Sequence, residues 1–399
     1  MPRLAGSSKL LRAMNESAAL AHLLERGQLT RNDLRELTGL SKPTISEALR
    51  RLTDAGLASV VGHISAGPGP NAEVYAANPD AAYAVAISVR DSGVTDVPSL
   101  AAAVCDLTGA IRGRVESAVD FLNTDPLSAV ADLVDELRTS AGVPAEKVRY
   151  VQLGVAGSYD ARSDTIHHVD VPGWSRAGLV GEIRRRLTTE VGVDNDVNLA
   201  AVAERRHGVA TDVDGFALLW LGESGLGLAI DLGGTLLRGA RGGAGEIGYM
   251  PLFAPDGHDR KVDFHDLVGG ENVLALAQDQ GLPGRTPAEA VASAASAAVS
   301  GPGNDVAKEF LSALADRIAV GLAAVVAVLD PPLVVLAGQV GRAGGAALRD
   351  AVATAMTQAA PLETTIASTA IDDDAVLLGA LDAGLTAVRE ALIASVHLP

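Results

Sequence analysis

The sequence predicts an α/β protein made of a small N-terminal helical unit and a larger domain with two lobes. Three helical patterns and two alternating segments fill the first eighty residues. The rest of the chain twice repeats a set of apolar strands followed by helices. The charge distribution changes at the same position. Residues 1–80 hold nine Lys and Arg against eight Asp and Glu, so the acidity of this chain of net charge −17 lies in the larger domain.

The boundary between the two units is predicted at Asn78-Pro79-Asp80, where a turn-forming cluster precedes an Ala- and Val-rich segment. Residues 1–80 then form the first domain, and residues 81–399 form the second. We also expect the boundary segment to act as the hinge between them.

Composition excludes several classes of protein. Cys105 is the sole cysteine, so neither an intramolecular disulfide nor a multi-cysteine metal site can form. The apolar stretch from Ile318 to Leu329 is shorter than the roughly 20 residues that cross a bilayer. The N-terminus shows no secretion-signal pattern. We therefore expect a cytoplasmic protein without a membrane partner.

The first eighty residues show the spacing of a helix-turn-helix. A first helix is predicted over Asn15 to Arg26, and Thr30 with Asp33 begins a second. Ser41 caps a third helix, in which Pro43 occupies the first turn. The buried stripe of this third helix consists of Ile45, Ala48, Leu49 and Leu52.

The exposed face of the third helix is predicted to read double-stranded DNA. Polar N-terminal residues on such a helix suit the major groove. The predicted contacts are Ser41, Lys42, Thr44, Ser46, Arg50 and Arg51. Segments Leu57 to Ile64 and Ala72 to Ala76 are predicted as wing strands, joined by a loop without Arg or Lys. The alternative is a helix-turn-helix used only for oligomer contacts, without salt-sensitive DNA binding.

The larger domain alternates strands with helices in two halves. This order favours the actin-like ATPase, or sugar kinase-like, architecture with a central cleft. The predicted strands are Tyr83 to Val89, Leu100 to Asp106, Ala110 to Glu116, Val148 to Ala156, Val191 to Asp194, Phe216 to Leu221, Leu226 to Ile230 and Leu333 to Leu336. The predicted helices are Pro126 to Arg138, Arg176 to Thr188, Asp196 to His207 and Ala288 to Ala298, and the chain from Asp305 onward is mostly helical.

An ordered set of motifs resembles the ROK family of repressors, uncharacterised reading frames and sugar kinases. The set covers nearly the whole chain. Its members are Leu40-Ser41-Lys42-Pro43-Thr44-Ile45-Ser46, Gly154-Val155-Ala156-Gly157, Pro172-Gly173-Trp174, Asn195-Asp196-Val197-Asn198, Ala244-Gly245-Glu246-Ile247-Gly248-Tyr249 and Asp330-Pro331-Pro332-Leu333-Val334-Val335-Leu336.

The phosphate-binding loops that the resemblance implies are altered. Family kinases begin this domain with an Asp-x-Gly-Gly-Thr loop, whereas this chain reads Ser88-Val89-Arg90-Asp91-Ser92. The second loop reads Leu221-Gly222-Glu223-Ser224-Gly225, and the adenine-side glycines are reduced to Ala337-Gly338-Gln339. Acids that replace glycines repel phosphate and remove close N–H donors. We therefore expect no nucleotide cofactor.

A second segment has the sequence of a phosphate-binding loop, Asp231-Leu232-Gly233-Gly234-Thr235. It lies where the family has a β-hairpin turn. We interpret this segment as a turn between strands.

The zinc site of some family members also differs. Those members have a His at the position of Tyr249 and a cysteine-rich loop downstream, but Met250 to Asp266 contains no cysteine. The polar residues of this segment match no dedicated metal motif, so no metal is predicted. They are His258, Asp259, Asp263, His265 and Asp266.

The floor of the sugar pocket is retained. The resemblance implies that Asn195, Asp196 and Glu246 hold sugar hydroxyls, with Tyr249 beside them. The alternative role of Asn195 or Asp196 is helix capping, and that of Glu246 is bracing its loop. Tyr249, His265 and Asp266 depart from the family's usual sugar ligands.

Together these features predict a sequence-specific transcriptional regulator, a repressor of carbohydrate-related genes, with a sensor domain that lacks kinase activity. Its partners are an inverted-repeat operator, a sugar or sugar-derivative effector, and copies of itself in a homodimer or homotetramer. The alternative is an ATP-dependent carbohydrate kinase with an attached DNA-binding domain, which the retained Asp196 would serve as base.

Overall fold

A computed structural model describes residues 5–64, 71–91, 97–252, 262–299, 305–359, 362–372 and 374–395, with the backbone alone for residues 5–10. The helices are α1 Ala5–Arg26, α2 Arg31–Thr38, α3 Lys42–Asp54, α4 Pro126–Ser140, α5 Leu179–Leu187, α6 Asp196–His207, α7 Phe264–Val268, α8 Gly270–Asp279, α9 Pro287–Val299, α10 Asp305–Leu329, α11 Gly338–Ala359 and α12 Ala375–Ser395. The strands are β1 Leu29–Thr30, β2 Ala58–Ile64, β3 Ala72–Ala77, β4 Tyr83–Arg90, β5 Ser99–Asp106, β6 Ile111–Ala118, β7 Val148–Val155, β8 Ser158–Asp160, β9 Thr165–His167, β10 Glu190–Asn195, β11 Phe216–Leu221, β12 Leu226–Leu232, β13 Thr235–Leu236, β14 Pro251–Leu252, β15 Val262–Asp263, β16 Leu333–Ala337 and β17 Thr365–Ser368.

The N-terminal unit is a winged helix-turn-helix, as predicted. Thr30 and Asp33 form a reciprocal capping box at the start of α2, and Gly39 ends this helix in the left-handed conformation. Strands β2 and β3 form the wing, but β1 also pairs with β3 and gives a sheet of order β1-β3-β2. Two residues are too few to show alternation, so the sequence gives no sign of β1. The wing loop, residues 65–70, lies outside the described residues.

Two five-stranded sheets form the larger domain and confirm the predicted two-lobed architecture. The first lobe has the order β10-β7-β4-β5-β6, and the second has the order β13-β12-β11-β16-β17. Strand β17 was not predicted, because only four residues, one of them buried, form it at the sheet edge. The segment from residue 231 to 235 turns between β12 and β13, which confirms the hairpin interpretation.

Helices α6 and α12 lie between the two sheets. The apolar side of α12 packs on the first sheet through Leu377, Leu381 and Leu385. Helix α6 packs on the second sheet through Val197, Ala200 and Ala201. The other face of the first sheet is covered by α4 and α5, and that of the second by α9, α10 and α11. The domain is therefore built of five layers with α6 and α12 at the centre.

Helix α10 is longer than the apolar stretch that the sequence analysis considered. Among the described residues it has the length and composition of a membrane-crossing helix, and half of its apolar window is buried in the protein. Phe310, Leu314, Ile318 and Leu322 are fully buried in the core of the second lobe. Its position is that of a core helix.

Gly379 is required for the contact between α6 and α12. A Cβ atom there would lie 1.7 Å from the carbonyl oxygen of Leu199. We expect Gly379→Ala to lower the free energy of unfolding by about 1 to 3 kcal/mol or more, because the two helices must separate. Chemical denaturation measures this change.

The matched control is Gly384→Ala on the same helix. A Cβ atom there would lie 3.5 Å from Ala84 Cβ, an ordinary contact. Since Ala is the better helix former, Gly384→Ala should leave stability unchanged or slightly raised. Equal losses in both variants would show that the packing of α6 on α12 is not the limiting contact.

Candidate functional site

The candidate DNA-reading surface is the N-terminal half of α3. Ser41 caps this helix with its hydroxyl 3.4 Å from the Thr44 amide nitrogen. The Ser41 Oγ also lies 2.8 Å from the Thr44 Oγ1, so the two hydroxyls are oriented together. Lys42 is exposed, and Thr44 and Ser46 are partly exposed. The buried stripe of α3 is as predicted.

The two arginines predicted to contact DNA are engaged in ion pairs. Arg50 binds the carboxylates of Glu47 and Asp54 at 2.8 and 2.6 Å. Arg51 binds Glu47 at 2.8 Å and lies 3.5 Å from Glu16. Hydrogen bonds from the two arginines lower the pKa of Glu47 to about 2. Both cations are thus neutralised locally, whereas Lys42 has no ion pair among the described residues.

Arg35 was missed in the sequence analysis. It is exposed near the end of α2, and it makes no ion pair with any described residue. The signal was available, since Arg35 is a basic residue on α2, the helix that precedes α3 in the helix-turn-helix. Arg31, by contrast, is bound by Glu73 and Tyr75 and joins α2 to the wing.

Asn195 lies at the junction of β10 and α6. Its side-chain oxygen accepts hydrogen bonds from the amides of Val197 and Asn198 at 2.8 and 3.4 Å. Its side-chain nitrogen donates to the Gly157 carbonyl at 3.2 Å. The capping role that the sequence left open is therefore present, and it occupies the acceptor that a sugar hydroxyl needs.

Asp196 occupies the first turn of α6 and faces other acids. Its Oδ1 accepts a hydrogen bond from the Val197 amide at 2.8 Å. The pKa of Asp196 is raised to about 7, mainly by desolvation and to a smaller extent by the negative charges of Asp91 and Glu246. Asp196 and Glu246 are thus brought together in one cleft with Asp91. The sequence analysis considered Asp91 only as an acid that replaces a glycine in a phosphate loop.

Glu246 and Tyr249 lie opposite the β8 to β9 hairpin. The buried Ser158 hydroxyl donates to Glu246 Oε1 at 2.6 Å. Tyr249 is 62% exposed, and its hydroxyl lies 3.4 Å from His168 Nδ1. His168 has a φ of 57°, which is strained for a residue with a side chain. The sequence analysis did not include His168, although two adjacent histidines in a chain with eight are a usable signal.

The two loops that correspond to phosphate loops are in direct contact. The Ser224 hydroxyl donates to Asp91 Oδ2 at 3.1 Å and joins them. Arg90 points to Glu116 and Asp374, which it binds at 2.7 Å each. Ser92 lies outside the described residues.

The structure changes the interpretation of Glu223. Its Oε1 accepts a hydrogen bond from the Thr286 hydroxyl at 2.9 Å, at the start of α9. The acid therefore braces its own lobe, and Asp91 is the carboxylate that takes part in the contact between the loops. A small cavity of about 30 Å³ lies at the ends of β11 and β16, where Trp220, Gly338 and Gln339 line it.

Two of the acids near Tyr249 have structural partners. Asp263 and Asp266 form a reciprocal capping box at the start of α7. His258 and Asp259 lie outside the described residues. Within the part of the chain that is described, His, Cys, Asp and Glu form no group of three suited to a metal ion.

The pKa of Asp196 predicts how stability changes with pH. Because this pKa rises from 3.8 to about 7 on folding, the folded chain keeps a proton that the unfolded chain releases. The stabilising contribution is present below about pH 4 and is lost as the pH rises to about 7. We expect Asp196→Asn to melt at a higher temperature than the original protein at pH 8, with a difference that shrinks toward pH 4.

Thermal melts from pH 4 to pH 8 test this expectation. The control is Asp212→Asn, because Asp212 is an exposed carboxylate. A pH-independent effect of Asp196→Asn would contradict the assignment of a raised pKa.

Comparisons with known proteins agree with this architecture. The ROK family model matches residues 88–385, and the MarR family model matches residues 11–64. The bifunctional enzyme NanE/NanK of Brucella suis biovar 1 (strain 1330) is 34% identical over 202 residues, which are 50% of this chain and 36% of that enzyme. The xylose repressor of Bacillus subtilis (strain 168) is 24% identical over 248 residues, 61% of each protein. The match thus spans less than two thirds of either relative.

A solved structure is similar over almost the full length. It is a ROK family transcriptional regulator described as a homolog of the E. coli MLC protein, with a TM-score of 0.75 and 16% identity. The match covers 97% of this chain and 99% of that one, and it supports the fold. Because the family model extends over most of the chain, from β4 to α12, the protein belongs to the ROK family.

Proposed function

We propose that this protein is a sequence-specific transcriptional regulator, a repressor of carbohydrate-related genes that acts in the cytoplasm. Residues 1–80 bind an inverted-repeat operator, and residues 81–399 bind a sugar or sugar derivative and form the homodimer or homotetramer. The observation that carries the proposal is the MarR-like winged helix on a ROK domain whose phosphate loops bind each other. The xylose repressor supports the same assignment.

DNA contact is assigned mainly to the N-terminal half of α3. Lys42 supplies a free cation, and Thr44 and Ser46 supply hydroxyls that bond to bases or phosphates. Ser41 orients Thr44 from the cap position. Arg50 and Arg51 can contribute only after they leave Glu47, so we assign them a smaller share.

A polyhydroxylated ligand is assigned to the cleft beside α6. Asp196 and Glu246 provide carboxylate oxygens that accept sugar hydroxyls, and Tyr249 lies at the rim. Asn195 acts chiefly by fixing the start of α6, because its oxygen caps the helix. The hydrogen bond from Ser158 engages Glu246 Oε1, so a ligand hydroxyl is expected to bind mainly at Oε2.

Kinase activity is the second candidate, since NanE/NanK is an enzyme with 34% identity in the matched half of this chain. The local geometry opposes it. Phosphates would have to separate Asp91 from Ser224 and then lie beside a carboxylate. We therefore assign no catalytic role to Asp196 and no nucleotide cofactor to the protein.

The signal between cleft and operator is assigned to α6, α12 and α1. The largest helix contact in the molecule joins α6 to α12. At the other end of α12, Ile393 packs on the core of the winged helix, and the Ser17 hydroxyl donates to its carbonyl at 3.0 Å. Ligand bound at the start of α6 can thus favour one arrangement of the DNA-binding unit.

The expected hinge at Asn78-Pro79-Asp80 is firmly held. The Asn78 side chain donates to the Gly56 carbonyl at 2.8 Å, and the Pro79 carbonyl accepts from the Leu107 amide at 3.1 Å. Lys147 also donates to the Asp80 carbonyl at 2.6 Å. This segment is bonded to both units, so we replace the hinge by the contact between α1 and α12.

The DNA assignment predicts different effects for two cations on α3. Lys42→Ala should weaken operator binding and reduce the slope of log affinity against log salt by about one, because one phosphate contact is lost. Arg50→Ala should have a smaller effect, since Glu47 and Asp54 already neutralise this arginine. Fluorescence anisotropy at several salt concentrations measures both slopes.

Deletion of residues 1–80 should abolish this binding. Full affinity in the truncated protein, or an unchanged salt slope in both point variants, would contradict the assignment.

The effector assignment predicts a loss of response without a loss of DNA binding. A thermal-shift screen with xylose, glucose and N-acetylmannosamine identifies a ligand, and operator affinity is then measured with and without it. Asp196→Asn and Glu246→Gln should abolish the change in affinity, because each removes a hydroxyl acceptor. Their affinity for the operator without ligand should stay within about twofold, since neither residue lies near α3.

Equal ligand binding by both variants would exclude this cleft as the effector site. ADP release from ATP that depends on sugar and disappears in Asp196→Asn would establish the kinase alternative.

A further inference from the structure

We propose that a groove beside the sugar cleft binds a small phosphorylated metabolite. The groove has a volume of about 420 Å³ and lies between the edge strand β10 of the first lobe and the loop that follows β13 in the second. One wall is the β8 to β9 hairpin with Arg162, and the other is the loop from Arg238 to Gly242. Asn195 lines this groove as well as the cleft, whereas Arg162 and Arg241 take no part in the proposed DNA or sugar contacts.

Arginine side chains line both walls. Arg162 and Arg241 are exposed, and neither makes an ion pair with any described residue. Arg238 is held by Asp194, with nitrogen to oxygen distances of 2.9 and 2.7 Å. Two uncompensated guanidinium groups therefore face one groove in a protein of net charge −17. Such groups match phosphate oxygens in geometry as well as in charge.

The acids of the groove have other partners. Asp194 is neutralised by Arg238 and also accepts a hydrogen bond from the Asn198 side chain at 3.0 Å. Asp160 Oδ1 accepts from the backbone amide of Arg162 at 2.9 Å. The negative charge of Asp160 remains and weakens the attraction of the groove for anions. Phosphate recognition is therefore assigned to the two unpaired arginines and not to a large net positive charge.

Backbone geometry fixes the separation of the walls. Gly242 has a φ of +77°, and a Cβ atom there would lie 2.6 Å from the Tyr159 carbonyl oxygen. The loop that carries Arg241 therefore sits directly on the hairpin that carries Arg162. Arg184 covers the Val191 carbonyl at 2.9 Å, which blocks part of the strand edge and disfavours an added peptide strand.

The size of the groove indicates the kind of ligand. Its volume exceeds what a single inorganic phosphate fills and lies in the range of small-molecule pockets. A compound with two phosphate groups on a short polar carbon chain offers one phosphate to each of the two arginines. Fructose 1,6-bisphosphate has this form, and fructose is its neutral counterpart.

Titration calorimetry with fructose 1,6-bisphosphate tests the proposal on the full-length protein. We expect binding by the original protein, no heat with fructose, and an affinity that falls as salt is raised. The double variant Arg162→Ala/Arg241→Ala should weaken binding by about tenfold or more. Both side chains are exposed, so the variant is expected to fold, and its melting temperature checks this.

The control variant is Arg285→Ala/Arg349→Ala, which removes the same charge from arginines outside the groove. It should bind as the original protein does. Asp196→Asn should also bind normally, which separates this site from the sugar cleft. The proposal is overturned if the original protein gives no binding heat, if the groove variant binds as tightly as the original, or if both double variants lose affinity equally.

Discussion

The close crossing of α6 and α12 is the constraint on which both functional regions depend. Gly379 allows α12 to touch the backbone of α6 at Leu199. The start of α6 holds Asn195 and Asp196 at the cleft, and the last turns of α12 reach the winged helix through Ile393. In the proposed regulator, a change in the cleft would therefore reach a helix that directly contacts the winged helix.

The cleft combines the proposed sugar-binding carboxylates with an altered phosphate region. Asp196 and Glu246 are acceptors of the kind that bind hydroxyl groups. Burial, with a smaller contribution from Asp91 and Glu246, raises the pKa of Asp196 to about 7, so a large share of this carboxyl is protonated near neutral pH. A protonated carboxyl donates as well as accepts. The same group that would remove a proton in a kinase is therefore suited here to hold a neutral ligand.

Much of the fold could be predicted from sequence, and the reasons are local. Helix α6 and strand β11 have the predicted bounds, because Asn195 is a strong cap and the apolar run from Phe216 ends at a glycine. Helix α1 begins ten residues before the predicted start, where the apolar spacing is weak. The ROK motifs indicated the cleft residues, but the structure had to show that Asn195 is committed to capping.

Contacts between distant segments could not be predicted. The ion pair between Arg50 and Glu47 could have been predicted, because the two residues are three positions apart on one helix. The hydrogen bond between Asp91 and Ser224 could not, because it joins residues 133 positions apart. The orientation of Glu223 depends on Thr286, which lies just before α9. The charge of each residue can be read from the sequence, but its effect depends on the partner that tertiary packing supplies.

The bond between Ser17 and Ile393 has a consequence for how such proteins can recombine. These residues lie 376 positions apart, yet they form one surface. Exchange of the first eighty residues between two relatives would leave the new DNA-binding unit against an α12 that evolved with another partner. A new operator specificity is therefore acquired more readily by substitutions on the exposed face of α3, which leave this surface intact, than by replacement of the whole unit.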